Sequence, residues 1–244
     1  MINKKEMIVY MKESFEHINV FLSAIQLEQF YLYYQLLIEK NKVMNLTAIT
    51  NFEEVVQKHF IDSIMLKHIS FLKESAVSLI DVGTGAGFPG IPLKIVYPEL
   101  TVTLLDSLNK RVNFLNEVIE KLSLKDIFTI HGRAEDIGIL PAYREKFDYS
   151  VSRAVANLSV LSEYCLPFVK IGGYFIAYKS GSVQEELNLA SKPIQILSGK
   201  LKQVELFDLP MTDMRRTLIY IEKISLMNKR FPRKAGLPAK EPIK

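Results

Sequence analysis

Cysteine is nearly absent from this chain of 244 residues: Cys165 is the single one, so no internal disulfide can form. That suits a reducing compartment. Within Glu163-Tyr164-Cys165-Leu166-Pro167 a lone cysteine reads as a small buried hydrophobe rather than a nucleophile. Histidines number four, too few with one cysteine to build a metal cluster, and no metal is expected. His59 and Asp62 share one helix face, where a packing or capping histidine is the expectation. No apolar run approaches the length of a membrane span, and the first residues lead into charge without a signal-peptide core. A cytoplasmic location without membrane contact is the default expectation. Repeats and long linkers are lacking, and so is any charge excess outside one segment. The net charge is +4, yet residues 228–244 hold six basic side chains against the single acid Glu241, leaving 25 basic and 26 acidic residues elsewhere. Such a block suits a polyanion, although a solvated end is equally ordinary.

What is present is 48% hydrophobic content, enough for one α/β domain with an extension. The chain is organised around residues 77–92. Val77 to Val82 is a short apolar run that a parallel sheet would bury on both faces. Gly83, Gly85, Gly87 and Gly90 then clear side chains from a turn, so a ligand can approach the backbone. Pro89 and Pro92 suit the first turn of a helix whose free N–H groups would point back at that ligand. Phe88 stands where a dinucleotide fingerprint needs its third glycine, and no Gly-Lys-Ser/Thr closes a P-loop. Asp81 followed by Gly83, Gly85 and Gly87 is instead similar to the first motif of S-adenosylmethionine-dependent methyltransferases.

Along the chain, Phe15, Ile18 and Phe21-Leu22 recur at helical spacing, and Leu27 to Lys40 is a second apolar helix ending near Asn41. Thr50 with Glu53 predicts a capping box opening the helix that carries His59. Thr101 to Asp106 is a second strand, and Asp106 stands where an acid would accept hydrogen bonds from ribose hydroxyls. The next helix buries Val112, Leu115, Val118, Ile119 and Leu122. Its first turn holds Lys110 and Arg111, against the helix dipole, which points to a role outside stability. Phe128 to Ile130 is a third strand, and the turn at 132–136 places a backbone N–H and an acid where they could address an adenine ring. Phe147 to Ala154 is a fourth strand, Leu158 to Val169 a helix, and Tyr174 to Lys179 a fifth strand behind a Gly172-Gly173 turn. Val204 to Leu209 and Thr217 to Ile221 predict an antiparallel pair at the sheet edge, while the stretch between Lys179 and Val204 carries no assigned element. The alternation predicts an α/β, Rossmann-like, doubly wound and mostly parallel sheet with an antiparallel edge strand. A helical extension over 1–70, a cofactor-binding domain over 71–227 and a basic tail over 228–244 are the expected divisions.

Seven short stretches together carry a more specific likeness. They are Asn45-Leu46-Thr47, His59-x-x-Asp62-Ser63, Asp81 to Gly90, Asp106-Ser107-x-x-Lys110-Arg111, Gly132-Arg133-Ala134-Glu135, Ser152-Arg153-Ala154-Val155-Ala156 and Phe231-Pro232-Arg233-Lys234-Ala235-Gly236-x-Pro238. In this order and spacing the chain resembles, over nearly its whole length, the bacterial small-subunit rRNA guanine-N7 methyltransferase family, also called glucose-inhibited division protein B. Phe231 stands where many members have tyrosine.

The resemblance implies a class I S-adenosylmethionine-dependent fold and methylation of N7 of guanine 527 in 16S rRNA. It also implies cofactor contacts from Gly83, Phe88, Ala134, Glu135 and Arg153. The residue reading adds Gly85 and Asp106 to the cofactor set. Lys110, Arg111, Lys229, Arg230, Arg233 and Lys234 are the candidates for RNA phosphates, with 16S rRNA or the small subunit as partner. The tail prolines predict a segment that lies extended or wraps over a surface, whose removal is expected to spare the glycine loop; the competing reading is a tail that folds back to complete the domain, so that its loss would lower the melting temperature and disturb cofactor binding. Guanine N7 has a free lone pair, and the Asn/Asp-Pro-Pro-Tyr/Phe motif of many amino-methyltransferases is absent, so no catalytic base is assigned. A methyltransferase acting on a small molecule or protein, or a non-catalytic RNA-binding module on the same fold, stands as the alternative.

Overall fold

A computed structural model describes residues 3–68, 77–153 and 156–243. Seven strands form one sheet in the order β3-β2-β1-β4-β5-β7-β6. They are β1 (Ser78–Val82), β2 (Thr101–Asp106), β3 (Ile127–His131), β4 (Phe147–Arg153), β5 (Val169–Ser180), β6 (Gly199–Asp208) and β7 (Arg215–Lys223). The first five pair in parallel, while β7 runs antiparallel to both β5 and β6. The expected antiparallel pair does close that edge, with β7 inside and β6 outermost.

Alternation along the strands feeds two cores. Leu79 packs on one face with α1 (Lys4–His17), α2 (Ala24–Met44), α5 (Gly90–Val96) and α6 (Asn109–Lys121). Its neighbour Ile80 packs on the other with α8 (Leu158–Cys165) and α9 (Gln184–Ile196). Between the first two helices and the sheet runs a segment that changes pitch: α3 (Phe52–Val55), a π-helical turn Val56–Ile61, α4 (Asp62–Ile64) and a 3₁₀ turn Met65–His68. Strand order reverses between β1 and β4, which opens a crevice at their C-terminal ends, the usual place for a ligand in such sheets.

Several boundaries differ from the sequence reading for local reasons. Helix α1 stops at His17, because Asn19 turns left-handed at φ 58°, so Phe21 and Leu22 lie beyond it. Helix α2 runs past Asn41 to Met44, and Asn45 ends it with φ 50°. The cap before α3 is Asn51, whose side chain accepts from Glu54 N, in place of the Thr50–Glu53 box. Pro167 cuts α8 short: Leu166–Phe168 is a 3₁₀ turn, and Val169 already belongs to β5, so Gly172-Gly173 sits inside a strand. Helix α9 fills the unassigned stretch despite Pro193 in its last turns. Ala154, Val155 and Lys244, parts of the fourth strand, one motif and the tail, lie outside the described residues, as do 69–76, where the first two divisions were expected to meet.

Candidate active site

The glycine loop is shaped almost entirely by its own backbone. Gly83, Gly85 and Gly87 take φ values of 71°, 63° and 105°, a region that favours glycine. Gly83 N and Thr84 N donate to Leu105 O at 2.9 and 3.1 Å, which pins the loop to the end of β2. Asp81 is fully buried below it, and its Oδ2 accepts from Thr84 Oγ1 at 2.7 Å and from Gly90 N at 2.8 Å. Burial pushes the Asp81 carboxyl up to about 6. The helix amides expected to face a ligand are used inside the protein: Gly90 N by Asp81, Ile91 N by Gly87 O, and Leu93 N by Pro89 O. Helix α5 is only seven residues long, and the loop's contribution to a ligand is open space instead. A Cβ added at Gly85 would meet nothing within 4 Å, whereas one at Gly87 would stand 2.5 Å from Ile91 Cδ1, and one at Gly90 2.4 Å from Leu104 Cδ2.

Asp106, at the tip of β2, is 3% exposed and closes the loop from the other side. Its Oδ2 accepts from Gly85 N and its Oδ1 from Leu108 N, both at 2.9 Å, while Arg111 Nη1 stands 3.5 Å away. Arg111 therefore faces the buried carboxylate at the rim, and Lys110 beside it is exposed. Arg153, at the end of β4, lies over the Phe88 ring at 5.0 Å and donates to Asp62 Oδ2 at 3.1 Å. Arg216 of β7 donates to the other oxygen, Asp62 Oδ1, at 3.1 Å. Asp62 thus holds two guanidiniums in place from the segment packed beneath them.

His59 joins this cluster beside Arg153, 4.6 Å from Phe88 with the rings 19° from parallel. Its Nε2 lies 2.8 Å from Thr47 Oγ1, and its Nδ1 lies 3.4 Å from Arg153. Burial first, then the charge of Arg153, drives its pKa down to about 3, so the ring is neutral at physiological pH. Because the folded value lies below the ordinary 6.5, the unfolded chain takes up the proton first. The stability His59 contributes is complete above pH 6.5 and is lost as pH falls toward 3. Asp81, raised from 3.8 to about 6, acts in the opposite sense, costing stability as pH rises through that window. In urea titrations across this range His59→Phe, which keeps a ring against Phe88, should lose the first effect alone. The advantage of the parent over the variant should shrink by roughly 3–5 kcal/mol between pH 6.5 and 3. A constant difference would show that His59 does not titrate this way.

Tyr33 lies within the apolar helix expected over Leu27 to Lys40, and the structure gives it a task beyond packing. Fully buried on α2, it donates its hydroxyl to Ala86 O at 2.6 Å, at the crest of the glycine loop. Its ring packs against Phe60 at 5.5 Å and Phe88 at 5.4 Å, which lie 6.2 Å from each other. No sequence signal distinguishes it from the other aromatics of that helix. Tyr33→Phe leaves Ala86 O without its buried donor and should cost about 1–3 kcal/mol in denaturant unfolding. A several-fold loss of cofactor affinity should accompany it as the loop relaxes. Unchanged stability and affinity together would show that the loop holds its shape without this bond.

One cavity of about 1070 Å³ opens over these residues. Gly83, Gly85, Phe88, Asp106, Ala134, Glu135 and Arg153, all seven candidates for the cofactor, line it. The cavity is also lined by Thr47, Lys58, His59, Asp62, Tyr178, Lys179, Met214 and Arg216, none of them a binding candidate from the sequence, although His59 is expected there to pack or cap and Thr47, His59 and Asp62 lie in the motifs of the family likeness. Glu135 is 5% exposed on the four-residue helix α7 (Ala134–Ile137), and its Oε1 accepts from Gly236 N at 2.8 Å. Of the RNA candidates only Arg111 reaches the cavity. Lys229, Arg230 and Lys234 are exposed, with Arg230 lying 4.9 Å from the Phe231 ring. Arg233 differs from these three: its Nε and Nη2 donate to Glu163, with contacts of 2.7 to 3.1 Å to both carboxylate oxygens, and its side chain is 23% exposed.

The space beside Gly85, the acid at the tip of β2 and the α7 turn fit S-adenosylmethionine in kind and in size. Comparison with solved structures agrees on the fold. A SAM-dependent methyltransferase from Aquifex aeolicus superposes with a TM-score of 0.52 at 18% identity, covering 70% of this chain and 93% of that one. A 16S rRNA (adenine(1408)-N(1))-methyltransferase from Catenulisporales acidiphilia, crystallised with SAM, gives 0.51 at 14% identity over 66% and 91% of the two chains. Sequence comparison is closer. The GidB family model, described as rRNA small subunit methyltransferase G, matches residues 26–218. Ribosomal RNA small subunit methyltransferase G of Lachnoclostridium phytofermentans is 58% identical over 222 residues, 91% of each chain. That of Acetivibrio thermocellus is 56% identical over 218 residues, 89% of each chain. Agreement at this level, running through the loop and both walls of the cavity, means that the chain belongs to the rRNA small subunit methyltransferase G family of S-adenosylmethionine-dependent enzymes.

Proposed function

We propose that this chain transfers the methyl group of S-adenosylmethionine to N7 of a guanine in 16S rRNA, guanine 527 by family likeness. One observation carries the choice of atom: among the described residues, every carboxylate lining the cavity is already engaged. Asp62 is bound by Arg153 and Arg216, and Asp106 by the amides of Gly85 and Leu108. Glu135 accepts from Gly236 N, and Glu186 is bound by Leu158 N and Lys179. His59 is neutral but turned onto Thr47 and Arg153. Such a site suits an acceptor that needs no deprotonation, and guanine N7 presents a free lone pair. The bound cofactor supplies an electrophilic sulfonium methyl. Phe88, packed against both His59 and Arg153, and the loop propped by Tyr33 would orient the reactants and exclude water.

Exposed Lys110, Lys229, Arg230 and Lys234 are the proposed phosphate contacts, so RNA affinity should fall with salt. Among the described residues no helix is long and apolar enough to cross a membrane. The reading is tested by incubating the protein with radiolabelled S-adenosylmethionine and either naked 16S rRNA or small subunits. Label should map to a guanine N7, with a single-turnover rate nearly flat across neutral pH. Label on an exocyclic amine, on protein, or on a small molecule alone would overturn it.

A further inference from the structure

We infer that the C-terminal segment is a positioning element of the cofactor pocket, acting through Glu135; this rests on the reading of Glu135 as a cofactor contact. Helix α7, which presents Ala134 and Glu135 to the cavity, has only four residues and two helical hydrogen bonds, Ile137 N to Arg133 O and Gly138 N to Ala134 O, too short a turn to be stable without outside contacts. The tail holds it from two sides. Gly236, at φ 85°, turns its N–H onto Glu135 Oε1, a bond spanning 101 residues of chain. At the other end of α7, Arg144 Nη1 donates to Gly138 O at 3.3 Å and to Phe231 O at 2.8 Å, while its Nη2 donates to Met227 O at 3.1 Å.

The segment itself is anchored strongly. Arg233 donates its backbone N–H to Glu163 Oε1 at 2.8 Å and its guanidinium to both oxygens of the same carboxylate, which is 1% exposed. Phe231 and Met227 are buried in the second core. Docking of the tail and occupation of the pocket therefore share the α7 turn, and each must favour the other by the same free energy. The exposed Lys229, Arg230 and Lys234 ride on this strap, which places the candidate phosphate contacts on the element that shapes the pocket.

The test uses the full chain. Trypsin, which cuts after Lys229, Arg230 and Lys234, should remove the parent's tail more slowly with saturating S-adenosylmethionine than without. Arg233→Ala should hasten cleavage in the absence of cofactor and weaken cofactor binding in calorimetry about tenfold, as the competent form of α7 becomes a minor population. Arg233→Lys should recover part of both. Because Arg233→Ala strands a buried carboxylate, the double variant Arg233→Met with Glu163→Met supplies a folded protein with the anchor removed but no orphan charge. It should show the same weakened affinity. A rapidly cleaved tail with undiminished cofactor affinity, or a parent whose tail gains no protection from cofactor, would overturn the inference. A parent that fails to bind S-adenosylmethionine at all would instead overturn the assignment of the pocket.

Discussion

Gly85→Val should yield a folded protein without measurable affinity for S-adenosylmethionine. The Cβ position at Gly85 faces open cavity, so the new methyl groups meet no protein atom and fill the space a ligand needs. A β-branched residue at φ 63° adds strain of about 1–3 kcal/mol, which lowers the melting temperature by only several degrees in a chain of this size. Calorimetry should show a loss of more than ~100-fold, equivalent to about 2.7 kcal/mol or more. Gly90→Ala is the contrasting control. Its Cβ would press on Leu104 and Asp81 beneath the loop, so it should lower stability by roughly 1–3 kcal/mol through overpacking. Retained cofactor binding in Gly85→Val would show that the loop does not cradle the cofactor.

Ending the chain after Asn228 should lower the melting temperature on the order of 10 °C, because removing one partner of a buried ion pair costs about 3–5 kcal/mol. Glu163 would lose every bond that Arg233 makes to it, and Phe231 would leave the second core. The sequence alone leaves two readings, a peripheral tail whose loss spares the glycine loop and a tail folded back onto the domain. The contacts of the tail favour the second, since Gly236 N donates to Glu135 and Arg144 joins Phe231 O to Gly138 O beside α7. Cofactor affinity should therefore fall along with stability, and the salt dependence of RNA binding should become shallower as exposed basic residues are lost. Differential scanning calorimetry and cofactor titration on one preparation settle both points. An unaltered melting temperature would sink the account.

Local chemistry wrote the centre of this protein into its sequence. An apolar run too short for a helix, followed by glycines at alternate positions, can only be a buried strand and a stripped turn. For the same reason Asp81 and Asp106 were legible at the ends of β1 and β2, where strand period and chain length bring them. Helix α9 was not, because Pro193 and a polar start mask its period. What only the tertiary structure decided are the contacts between distant parts of the chain. Tyr33 reaches Ala86 across 53 residues, Arg233 reaches Glu163 across 70, and Gly236 reaches Glu135 across 101. A tyrosine on an apolar helix face and an arginine in a basic tail look the same in sequence whether they support a pocket or face solvent. Their roles depend on which buried carbonyl or carboxylate the fold leaves in need of a donor, and that need arises only once the sheet has brought those groups together.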